Sequence, residues 1–225
     1  MVAIVWNPEK RFECYRKLLI EENKGGIVEQ LEADTYKILD SCHDPRVLDR
    51  KWDRRGLVYG HVQSGKTANY IGLINRAFDA GYQIIIVLTG MTEDLRKQTQ
   101  SRIDSGVTGI SGGVTIGIGN NDIFKGLEEI VPATTVKLDL KGEDDWRDNN
   151  LTVTKKSIWV IKKNKTVLEN LILWLDKERL REGTDKINGV PFLIIDDEAD
   201  NASIQSLSKR DFIQFILCDL LDVLH

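Results

Sequence analysis

The sequence predicts an α/β fold with a parallel, doubly wound sheet, and three observations predict it. From Gly56 onward, short apolar runs alternate with amphipathic stretches, the order that strand-helix-strand units produce. Ile84-Ile85-Ile86-Val87-Leu88 and Phe192-Leu193-Ile194-Ile195 carry no polar alternation, as expected of strands buried on both faces. A glycine-rich loop, Gly60 to Gly65, lies between one apolar run and one helical stretch. Helices are expected on both faces of the sheet.

The elements follow in order. Residues 1–50 read as an N-terminal helical segment. Asn7-Pro8 offers an N-cap and a first-turn proline, and Phe12, Tyr15 and Leu19 keep helical spacing. Gly25-Gly26 breaks that helix, and a second carries Ile27, Leu31 and Ile38 until Asp44-Pro45. Residues 51–225 read as one α/β lobe. Leu57-Val58-Tyr59 is a short strand, and Thr67 to Ala80 a helix closed by Gly81. Thr92 caps a polar helix reaching Ile103, and Val114, Ile116 and Ile118 alternate as another strand. Residues 119–156 form an irregular insertion. Ser157 to Ile161 is a strand, Thr166 to Glu169 a capping box, and Phe192 to Ile195 the next strand. A second capping box, Ser208 to Asp211, precedes a helix apolar nearly all round, with Phe212, Phe215, Ile216, Leu220 and Val223. Such a helix needs burial on more than one side, and self-association through it is expected.

Composition narrows the classes. The 225 residues include 41% hydrophobic and 29% charged side chains, ordinary for a soluble globular protein. A net charge of −4 argues against a tail-driven nucleic-acid binder, although a local basic groove stays open. Cys14, Cys42 and Cys218 are odd in number and widely spaced. That disfavours a disulfide or zinc framework and makes a reducing cytoplasm the expectation. No apolar run approaches the roughly 20 residues that span a bilayer, and the start lacks the basic flank of a signal peptide.

The chemistry concentrates in two motifs. Gly60-His61-Val62-Gln63-Ser64-Gly65-Lys66-Thr67 fits G-x-x-x-x-G-K-[ST], which appears by chance in about one per cent of chains this long. Its mechanism is physical. Backbone N–H groups from Gln63 to Thr67 cradle phosphate oxygens at a helix N-terminus, where the dipole favours negative charge. Gly60, Gln63, Ser64 and Gly65 form the cradle, Lys66 supplies a point charge to the β- and γ-phosphates, and Thr67 gives a hydroxyl to magnesium. ATP and magnesium are thus the expected cofactors.

The second motif is Ile194-Ile195-Asp196-Asp197-Glu198-Ala199-Asp200. One carboxylate at a strand end holds magnesium and the next orients and deprotonates the attacking water. Position assigns magnesium to Asp197 and the general base to Glu198. A shift of one residue would bring Asp196 into play, and that ambiguity stays open.

Asp197-Glu198-Ala199-Asp200 resembles the DEAD box of superfamily-two helicases, and Ser64 to Thr67 resembles the end of their first motif. Thr89-Gly90-Met91-Thr92 with Leu95, Arg96 and Gln98 resembles the motif that touches the nucleic-acid backbone. Residues 56–73, 81–104 and 191–204 resemble, more narrowly, the N-terminal part of the Z-one family, with Gly60 to Tyr70 the most specific stretch. These are endonucleases with a helicase-like ATPase, associated with bacterial restriction and defence. The resemblance implies a RecA-like P-loop lobe acting on DNA, with Thr89, Arg96, Gln98, Lys162 and Lys163 as candidate nucleic-acid contacts.

Helicases of this kind carry a further motif strand after the DEAD box, and a second lobe with an arginine finger. The chain ends at His225, soon after Asp200. It is therefore expected to be an incomplete first lobe lacking its last strand, weakly active by itself, with the second lobe and the nuclease region elsewhere. A nucleotide-binding interaction module without appreciable turnover shares every motif above; DNA-stimulated phosphate release separates the two. A P-loop kinase is a third reading, disfavoured by the Asp-Glu-Ala-Asp run.

Overall fold

A computed structural model describes residues 9–42, 44–47, 55–58, 65–140, 151–181, 183, 187 and 189–197. In chain order the elements are α1 (Lys10–Glu21), α2 (Val28–Ser41), α3 (Lys66–Ala80), β1 (Ile84–Thr89), α4 (Glu93–Ile103), β2 (Ile110–Ser111), β3 (Val114–Thr115), β4 (Val131–Pro132), β5 (Ser157–Lys162), α5 (Lys165–Arg181) and β6 (Phe192–Asp196). Among the described residues no helix is long and apolar enough to cross a membrane.

The chain divides into two compact units, Met1–Tyr82 with Ile103–Glu129, and Gln83–Arg102 with Ile130–His225. The expected division near residue 50 is therefore displaced. The reason lies in α3, whose side chains pack with those of α1 and α2. Tyr70, Ile71, Leu73, Ile74, Ala77 and Phe78 are all buried, so helical pairing rather than chain order decides the grouping.

In the first unit, Gly72 lets three helices meet. A Cβ there would stand 2.9 Å from the Leu31 side chain and 3.3 Å from those of Phe12 and Thr35. Buried Arg76 pairs with Glu9, and its guanidinium lies 3.8 Å from the Phe12 ring centroid. Asn75 donates from Nδ2 to the carbonyls of Ile71 at 3.0 Å and Gly106 at 2.8 Å, tying α3 to a single π-helical turn at Asp104–Thr108. Gly81, with φ of 112°, closes α3 as expected; its N–H returns to Ala77 and Phe78.

Two expected strands are absent here. Val114 to Ile118 does not run as one strand: β2 and β3 form a two-residue hairpin instead. Gly112 and Gly113 both have positive φ, 57° and 82°, which suits the tight turn. Ile118 is buried in a 3-10 turn, Gly117–Asn120. Arg55 to Val58 have no regular structure. Leu57 is 83% exposed, and no described strand offers it a ladder of hydrogen bonds. Tyr59 lies outside the described residues, as do Asn7-Pro8 and the apolar helix expected beyond Asp211.

The second unit holds a four-stranded sheet in the order β4-β5-β1-β6, parallel at every pairing. Ile86 sits opposite Trp159 on one side and Ile194 on the other. All six β1 residues are buried, as their unbroken apolar pattern requires. Alternation sends Ile84, Ile86, Leu88, Trp159 and Ile161 to one face. There they pack with Val167, Leu168, Leu171, Trp174 and Leu175 of α5. Trp159 and Trp174 rings lie 4.6 Å apart at 56°. The described part of the insertion has little regular structure, as expected, yet Ala133, Leu140, Leu151 and Val153 join this core. The capping box at Thr166 is also corrected. Asn164 caps α5, its Oδ1 accepting the Val167 N–H at 3.0 Å, because the helix starts two residues earlier.

Candidate functional site

The candidate residues fall on two structural features, one in each unit. The first is the N-terminus of α3. Gly65 has φ of 78°, the left-handed region that an L side chain rarely adopts, and a Cβ there would meet nothing within 4 Å. Lys66 is the first residue of a 15-residue helix and is exposed; Thr67 follows, half-buried. The first amides of such a helix have no carbonyl partner within it and point outward with the positive end of the dipole. Gly60, Gln63 and Ser64 lie outside the described residues.

The second feature is the carboxyl edge of the sheet, where open α/β sheets hold their ligands. β1 ends at Thr89, β5 at Lys162 and β6 at Asp196, with Thr89 opposite Lys162 and Leu88 opposite Asp196. Asp197 continues the ladder, its N–H donating to the Leu88 carbonyl at 3.0 Å. Glu198 and Asp200 lie outside the described residues.

Ile194 packs towards α5, so Asp196, two residues on in β6, belongs to the same side. There, buried Lys163 places its Nζ 2.8 and 2.9 Å from the two carboxylate oxygens of Asp196, reaching over the end of β1. The next residue, Asp197, stands just past β6, where a turn begins.

Beside this edge lies a second ionic cluster. The Lys162 Nζ sits 2.9 Å from Glu93 and 3.1 Å from Asp139. Fully buried Arg96 donates to Glu93 at 2.7 and 3.1 Å, and to the carbonyls of Thr135 at 2.9 Å and Val136 at 3.1 Å. The Arg96 hydrogen bonds, then the Lys162 one, hold the Glu93 carboxyl down to about 2. The Lys162 ammonium is raised, chiefly by its bond to Glu93. The depressed Glu93 value means its stabilisation is present above the ordinary glutamate range and is lost as pH falls towards 2.

Most of the expected nucleic-acid contacts are buried or ion-paired in this geometry. Arg96 is enclosed by carbonyls and carboxylates, and Lys163 is engaged with Asp196. Lys162 is only 15% exposed and sits between two carboxylates. Buried Thr89 donates its hydroxyl to the Ile161 carbonyl at 3.2 Å. Cations already neutralised inside a unit do not present charge to a phosphate backbone. Gln98 is exposed on α4. The partners Glu93 and Asp139 escaped the sequence reading, since both sit in polar stretches and only the parallel register brings Lys162 to them.

Among the described residues, no group of three or more His, Cys, Asp or Glu side chains is placed to hold a metal ion. Two grooves lie within the first unit, among the described residues. One of about 570 Å³ is lined by Glu9, Glu32, Tyr36 and Arg76, and another of about 170 Å³ by Cys14, Ile118 and Asn120 among others. Neither is lined by Lys66 or Thr67. No family model, curated protein or solved structure matches the chain.

Proposed function

We propose that the chain is an ATP-binding, magnesium-dependent ATPase lobe of a helicase-like enzyme that acts on DNA, of the RecA-like type and similar to the Z-one family. The observation that carries the reading is the start of α3. A left-handed glycine delivers Lys66 and Thr67 to the first turn of a long helix within a G-x-x-x-x-G-K-T sequence. That combination binds phosphate for reasons of geometry and charge, and its residues fit a nucleotide: open space at Gly65, an exposed ammonium at Lys66 and the positive end of a long helix.

In this reading Lys66 binds the terminal phosphates and Thr67 turns its hydroxyl to magnesium. Asp197 contributes a carboxylate at the sheet edge, where ligands of parallel sheets collect. Magnesium keeps several waters and takes one or two carboxylates along with phosphate oxygens, so a single described acid suffices from the protein. When bound, the metal neutralises charge that develops between the phosphates. Glu198 orients the attacking water and takes its proton. The parallel sheet with β1 at its centre is compatible with such a lobe. A second helicase-like lobe and a nuclease region are its proposed partners, in restriction or phage defence.

Phosphate release with and without DNA tests the proposal. Magnesium-dependent release that DNA accelerates supports it; ATP bound but never hydrolysed favours a nucleotide-gated module instead.

A further inference from the structure

We infer that Tyr15 is a positioning residue for the phosphate-binding start of α3: its buried hydroxyl holds the first helical turn, and through that turn Lys66, in place. The inference rests on the ATPase reading and adds to it a residue of α1, far from the motif in sequence.

Three observations support it. Tyr15 is 4% exposed, and its hydroxyl donates to the Ala68 carbonyl at 3.4 Å, in the turn that begins with Lys66. Burial pushes the phenol above its ordinary value, so the group keeps its proton and acts as a donor. The ring itself is wedged against α3. A Cβ on Gly106 would stand 3.3 Å from Tyr15 Cε2 and 2.8 Å from Ile71 Cγ2, so the bare glycine of the π-helical turn makes room for both. Gly106 is fastened in turn, since its carbonyl accepts from the Asn75 Nδ2 at 2.8 Å.

The inner part of α3 is held by burial of Ile71, Leu73 and Ile74, whereas Gly65 and Lys66 are exposed. The helix thus leaves the core where its phosphate-binding groups must be aimed. Helix ends fray, and binding groups work only when held within about 0.5 Å of their productive geometry. Packing alone would be met by a phenylalanine ring. The hydroxyl adds a desolvation cost, and so long a bond returns little stability. Its use is to fix the turn: a helix carbonyl has two lone pairs, one taken within the helix and one left for Tyr15.

The test uses the full chain with Tyr15→Phe, Lys66→Ala and the double variant, and a protein with Tyr15 replaced by para-aminophenylalanine, which keeps a donor at the same ring position. The readout is affinity for a fluorescent ATP analogue and its displacement by tripolyphosphate and by adenosine. All binding is measured well below the melting point of every variant, so a lowered melt does not hide the comparison. Tyr15→Phe is expected to weaken the analogue and tripolyphosphate by the same factor, about fivefold, the worth of one neutral hydrogen bond. Adenosine, which carries no phosphate, is expected to displace as it does from the parent. In the Lys66→Ala background the same change is expected to cost less than about twofold, because the turn then has no ammonium to aim. The para-aminophenylalanine protein is expected within about twofold of the parent. Unchanged affinity in Tyr15→Phe overturns the inference and leaves the ATPase reading standing. So does a loss shared equally by adenosine, a loss of full size in the Lys66→Ala background, or a failure of the amino group to restore binding. A parent chain that binds no ATP analogue overturns both.

Discussion

The carboxylate of Asp79, near the end of α3, accepts the backbone N–H groups of Arg11 at 2.9 and 3.2 Å and of Phe12 at 3.1 Å. A side chain from a distant helix thus caps α1, where an acceptor four residues back is missing. Burial pushes the Asp79 carboxyl up to about 6, against which the two N–H bonds and Arg11 pull downward. A carboxyl raised in the folded state favours folding most when protonated. Its contribution is full below the ordinary aspartate range and is lost as pH rises through about 6. The shift corresponds to about 3 kcal/mol. Urea unfolding is expected to give a more stable first unit at pH 5 than at pH 7.5. Asp79→Asn, which keeps one acceptor oxygen, flattens that difference; an unchanged pH slope in the variant contradicts the assignment.

Arg96 is expected to behave as a structural residue. Replacing it by Ala removes the guanidinium bonds to the Thr135 and Val136 carbonyls and leaves the Glu93 carboxylate to Lys162 alone, at a cost of about 3 kcal/mol. Arg96→Lys recovers little, since one ammonium does not replace a planar fork. Gln98→Ala, on the exposed side of the same helix, changes stability by less than about 0.5 kcal/mol. Chemical denaturation of the three variants checks the order. An Arg96→Ala protein as stable as the parent, with weakened DNA binding alone, would restore Arg96 to the nucleic-acid surface.

Two substitutions separate the proposed roles at the acidic run. Glu198→Gln is expected to keep ATP and magnesium binding and to lower turnover by about 10²–10⁴, since an amide cannot accept the proton of water. Asp197→Asn weakens the magnesium dependence of binding instead. Comparing steady-state phosphate release with analogue titration distinguishes them. Equal turnover in Glu198→Gln and the parent would remove Glu198 from the chemistry.

What was legible in the sequence follows from the range over which each signal acts. Ile84 to Leu88, Ser157 to Ile161 and Phe192 to Ile195 read as strands, and all three pair in parallel. The first two are buried, whereas Phe192 to Ile195, expected to be buried on both faces, is half-buried at the end of the described strand order. Gly81 closed α3 where a left-handed residue was expected. The hairpin at Ile110 to Thr115 was misread because Val114, Ile116 and Ile118 alternate by accident across a glycine turn. The Asp79 cap joins residues 68 positions apart, and no local pattern announces it. The site divided the same way. The start of α3 was readable from residue types at fixed spacing. The engagement of Lys162, Lys163 and Arg96 was not, because charge in a sequence looks alike whether it faces water or a carboxylate across a sheet.

The central claim is that Lys66 at the start of α3 binds the phosphates of ATP, and titration of a fluorescent ATP analogue into the parent chain and Lys66→Ala tests it most directly. The lysine makes no described contact on which the core depends, so both proteins should melt at similar temperatures. Loss of a charge-assisted contact worth about 2 kcal/mol predicts at least roughly 30-fold weaker binding by the variant. Equal affinity in two equally folded proteins, or no binding by the parent, would contradict the account.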